Sequence, residues 1–87
     1  MNVTRIEITT PRFDTDAARH QAYVSFDMRP DRGSVPVTAH FLCHSGCAPD
    51  SPASLVTQDL IEDALRQARR MPGFRRGERQ IVLRLSA

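Results

Sequence analysis

The chain has 87 residues, 40% of them hydrophobic and 25% charged, with a formal net charge of +2. That is the composition of a folded protein rather than a disordered one, and the length allows one hydrophobic core, so a single small domain spanning 1–87 is expected. No run approaches the roughly 20 apolar residues that cross a bilayer. The opening MNVTRIEITT lacks the apolar stretch of a secretory leader, and two cysteines are too few for a disulfide scaffold. A cytoplasmic protein is expected. All twelve basic residues are arginine, a bias that GC-rich codon usage produces and that points to a bacterial source.

The first expected strand is Val3 to Thr9, with Ile6 and Ile8 on one face and Arg5 and Glu7 on the other. Pro11 is expected to stop it, because proline cannot donate to a ladder. Asp14, Thr15 and Asp16 then supply turn chemistry, and Phe13 is expected to tuck back onto the core. The second strand, His20 to Arg29, has the cleanest period of two: Ala22, Val24, Phe26 and Met28 against Tyr23, Ser25, Asp27 and Arg29. Pro30-Asp31-Arg32-Gly33-Ser34 is a turn signal that makes a hairpin with the third strand, Val35 to about His44. There Val35, Val37, Ala39, Phe41 and Cys43 alternate with Pro36, Thr38, His40, Leu42 and His44.

A loop from Ser45 to Pro52 precedes a helix that starts near Ser51 or Ser54. Ser51 is the expected N-cap and Pro52 the first helical residue. Leu60, Ile61, Ala64, Leu65 and Ala68 recur at helical spacing, with Val56 and Met71 at the two ends. Glu62 and Arg66 form an i,i+4 pair on this helix. Pro72-Gly73 ends it, and Gln80 to Ser86 is the last strand.

These elements predict an α+β fold of order β-β-β-α-β: one four-stranded mixed sheet with a single amphipathic helix packed on one face. The last strand is expected beside the first, in order 3-2-1-4, through a right-handed crossover. The far face of the sheet then carries Arg5, Glu7, Tyr23, Asp27, His40, His44 and Arg84. This element order is shared by unrelated proteins and does not itself name a function.

The chain carries residues for four chemistries. His40, Cys43, His44 and Cys47 are a donor set that tetrahedral zinc accepts, but strand alternation sends the histidines to one face and Cys43 to the other. The same two cysteines allow a disulfide if the turn at Ser45-Gly46 brings them close, with Cys47 as the more exposed thiol for a redox role. A cysteine–histidine dyad for catalysis needs partners from distant segments, and the four glycines form no phosphate loop, so no enzyme is expected. Finally, residues 64–87 hold seven arginines against Glu78, net +6, whereas residues 1–63 hold five against nine acids, net −4. Such asymmetry marks a surface for an acidic protein, for self-association or for nucleic acid. Phe74 is the only aromatic near these arginines, and one helix fits no DNA-reading module. The sequence therefore points to a non-enzymatic protein-interaction domain without a cofactor, with Arg69, Arg70, Arg75, Arg76 and Arg79 as the contact set. Dimerisation would add the buried area that so short a chain lacks. A zinc- or redox-responsive domain is the first alternative, and a nucleic-acid-binding module the second.

Overall fold

The structure, a computed structural model, describes residues 2–29, 35–71 and 82–86. It is an α+β fold in which three antiparallel strands, β1 (Asn2–Asp14), β2 (Arg19–Arg29) and β3 (Val37–Ser45), carry one helix, α1 (Ala53–Ala68). The segment Val82–Ser86 (β4) runs parallel to β1, with Arg5 opposite Val82 and Thr9 opposite Ser86.

β2 lies between β1 and β3, and its period of two decides the layering. Ala22, Val24, Phe26 and Met28 are all buried, and the residues between them face the other way. Opposite them on β1, Ile8 faces Val24 and Ile6 faces Phe26. α1 covers this face, packing mainly on β3 and less on β2, with Leu60, Ala64, Leu65 and Ala68 turned inward. Phe26 and Phe41 meet with ring centroids 5.5 Å apart. Among the described residues no helix is long and apolar enough to cross a membrane.

Several boundaries differ from the sequence expectation, each for a physical reason. β1 does not stop at Pro11. The register slips between Thr9, opposite Tyr23, and Arg12, opposite Gln21, so Thr10 and Pro11 together face the single residue Ala22. That is a bulge, with Thr10 at a φ of 46°, and a bulge tolerates a proline without N–H. Pairing then resumes to Asp14, whose carboxylate accepts the N–H groups of Asp16 and Ala17 at 3.0 and 3.3 Å and turns the chain into β2. A second slip at Thr4 switches the parity of β1, which is why both Val3 and Ile6 face the core; the Thr4 hydroxyl donates to the Asp27 carbonyl.

β3 begins at Val37 rather than Val35, which is 80% exposed. The helix is capped at Pro52, not Ser51, without a side-chain cap; the Pro52 carbonyl instead accepts the N–H groups of Leu55 and Val56. Arg66 pairs with Asp63 at 3.1 Å rather than with Glu62, because Asp63 is already held in place by the sheet, as described below. The expected helix stop at Pro72-Gly73 and the start of the last strand at Gln80 lie outside the described residues.

Phe26 is fully buried at the centre of the sheet. Phe26→Ala is expected to lower the unfolding free energy by about 3–5 kcal/mol, and the exposed Thr15→Ala to change it by less than about 0.5 kcal/mol, both read from urea denaturation.

Candidate functional site

β3 and the loop after it carry most of the chemically capable side chains. Alternation along β3 separates them. Cys43 points into the core opposite Ala22 and has no exposed surface. His40 stands on the outer face, its Nδ1 3.0 Å from the Ser25 hydroxyl. His44 is on that same side of the strand, half-buried. Cys47 lies past the strand end, where its N–H donates to the buried Ser45 hydroxyl at 3.2 Å and its Sγ sits 4.0 Å from an Asp59 carboxylate oxygen. Both cysteines are free. The sequence-derived set His40, Cys43, His44 and Cys47 is thus split across the sheet, and among the described residues no three His, Cys, Asp or Glu side chains gather as a metal cluster would.

Asp63 organises this end of the molecule. One carboxylate oxygen accepts the His44 N–H at 2.9 Å, and the other accepts from Arg66 at 3.1 Å. One turn on, Gln67 Nε2 donates to the Leu42 carbonyl at 3.1 Å and lies 3.7 Å from Cys43 Sγ. Two side chains of α1 therefore cap the backbone of β3 along its outer edge. The environment also sets the chemistry of Cys43. Burial, reinforced by the Asp63 carboxylate and opposed by Arg66, pushes its thiol up to about 12. Such a thiol stays protonated and is a poor nucleophile at neutral pH.

The arginines divide differently. Arg66 is engaged by Asp63, although its side chain is 62% exposed. Arg69, the C-cap, and Arg70 are exposed and form no ion pair among the described residues. Arg75, Arg76 and Arg79 lie outside the described residues.

Two features were missed from sequence. The Asp63–Gln67 clasp left a faint signal, two polar residues at i,i+4 bordering the apolar stripe of a helix. The other feature is a cleft of about 550 Å³ between the β1 bulge, the start of β2 and the first turns of α1, with Ile8, Phe13, His20, Val56 and Leu60 in its walls. Phe13 and His20 meet there edge to face at 4.9 Å, and His20 Nε2 holds the loop through the Ala48 carbonyl at 2.9 Å. The bulge residue Pro11 lines this cleft with them, and nothing in the alternation announced it. Compared with protein-family models, curated proteins and solved structures, the chain matches none.

Thiol labelling at pH 8 is expected to modify Cys47 and to reach Cys43 only on unfolding. Folding raises Cys43 from 9.0 to about 12, so between those values the unfolded chain binds fewer protons than the folded one. Stability is then expected to fall as pH rises through that window and to owe nothing to this thiol below it, as read from urea midpoints across the alkaline range. Asp63→Asn keeps an acceptor for His44 but removes the charge, so Cys43 should titrate closer to its ordinary value; Asp63→Ala should in addition cost about 1–3 kcal/mol for the abandoned His44 N–H.

Proposed function

We propose that the chain is a small cytoplasmic, non-enzymatic protein-interaction domain, built on a four-stranded mixed sheet of order β3-β2-β1-β4, whose contact surface is the arginine-rich segment after α1. The observation that carries this reading is the state of Arg69 and Arg70: exposed at the helix end, without a carboxylate among the described residues to neutralise them. The negative end of the helix dipole favours cations at this position, so they cost the fold little. A planar guanidinium offers forked donors that match a carboxylate, and Arg75, Arg76 and Arg79 would extend the set along the chain. The favoured partner is an acidic protein segment. Nucleic acid is less well served, because single-strand binders stack bases on several aromatics and residues 64–87 contain only Phe74.

Fluorescence anisotropy with a labelled oligoglutamate peptide and a labelled oligothymidine tests this. The peptide is expected to bind and to weaken as salt rises from about 50 to 300 mM. In the double variant Arg69→Gln, Arg70→Gln its affinity should fall by about tenfold, or roughly 1.4 kcal/mol. Equal binding by parent and variant would sink the proposal, and tighter binding of the oligonucleotide would replace the acidic partner with nucleic acid.

A further inference from the structure

β3 forms one edge of the sheet, and its backbone determines what can lie beside it. The Asp63 and Gln67 contacts show that the His44 N–H and Leu42 carbonyl point away from β2. The β2–β3 register runs without a slip from His20 opposite Ser45 to Met28 opposite Val37. By the two-residue repeat, the peptide groups of His40 and Thr38 point outward as well. The side chains agree: Thr38 bonds Asp27 at 2.9 Å and His40 bonds Ser25 at 3.0 Å, as expected where strand pairs lack backbone bonds and side chains come closest.

Proteins usually blunt an exposed edge with charge or proline. The β3 sequence VTAHFLCHS contains neither, and the one proline nearby, Pro36, lies just before its first residue. Its C-terminal half is closed by the α1 clasp, whereas among the described residues nothing pairs with the outward groups of Thr38 and His40. Val37 and Leu42, at the two ends of this open half, are each 42% exposed.

We propose that the open half of β3 pairs antiparallel with β3 of a second copy of the chain, across a two-fold axis at Ala39. The donors and acceptors select that register. Thr38 of each copy exchanges both backbone bonds with His40 of the other. One step outward, Leu42 faces Pro36, and the Leu42 N–H donates to the Pro36 carbonyl. The reciprocal bond is not required: proline has no N–H, and the Leu42 carbonyl already accepts from Gln67. Every outward donor and acceptor from Pro36 to Leu42 is then satisfied. Centring the pair on His40 instead would aim the Thr38 N–H at the carbonyl that Gln67 occupies. In the chosen register Val37 packs on Phe41 of the other copy and Leu42 on Pro36, and the uncharged strand brings no like charges together. The arginines take no part, so loss of this dimer and loss of acidic-peptide binding are separate outcomes.

Sedimentation velocity of the full chain at micromolar concentration is expected to give twice the 9.8 kDa chain mass. His40→Pro removes an outward N–H without touching the β2 ladder, and should return the protein to monomer with its circular dichroism kept. If that variant does not fold, cross-linking decides. In a Cys43→Ala, Cys47→Ser background, Ala39→Cys places two thiols across the axis with Cα atoms about 4.5 Å apart, close enough for a disulfide. Diamide should convert it to covalent dimer, while Val37→Cys, which faces Phe41, is not cross-linked. A monomeric parent chain, or cross-linking no better at 39 than at 37, overturns the proposal.

Discussion

Hydrophobic burial brings α1 onto the sheet but does not say where along it the helix should stop, because the attraction is non-directional. Asp63 supplies the missing direction. Its carboxylate reaches a specific backbone N–H, that of His44, and is held from behind by Arg66. With Gln67 on the Leu42 carbonyl one turn later, the helix is fixed in both position and rotation against β3. The burial of Cys43 follows from that placement, as do the helix surfaces left outward at Arg69 and Arg70.

The same clasp divides β3 into two environments. Toward Ser45 the strand is covered and its outward backbone groups are bonded to α1; toward Val37 nothing among the described residues covers it. The thiol under the covered part is held protonated, whereas the histidine beside the open part bonds the Ser25 hydroxyl. Reactive residue types that are neighbours in sequence therefore end up on opposite sides of a layer, the ordinary consequence of a repeat of two.

Legibility followed the strength of each local signal. β2 was plain because four buried residues alternate without interruption, and the inward stripe of α1 was plain from Leu60, Ala64, Leu65 and Ala68. Alternation along β3 likewise foretold that Cys43 would leave His40 and His44. What escaped were departures from period: the slips at Thr4 and at Thr10-Pro11, which change parity without changing composition. Pro11 reads as a terminator because its lost donor matters in a ladder, yet a bulge tolerates it. Residue type alone favours Ser51 as a cap, and the choice of Asp63 over Glu62 for Arg66 depends on a strand residue, His44, that lies 19 positions earlier in the chain.

The central position of β2 has a dynamic meaning. Its amide hydrogens are bonded on alternate sides to β1 and to β3, so fraying of one outer strand releases at most every second one. Exchange along the whole of β2 requires both neighbours to part, and reports the stability of the whole unit. The outward amides of Thr38 and His40 lie at the other extreme. Amide protection is therefore expected to fall from the midline of the sheet to the open half of β3, where the groups available to a partner are found.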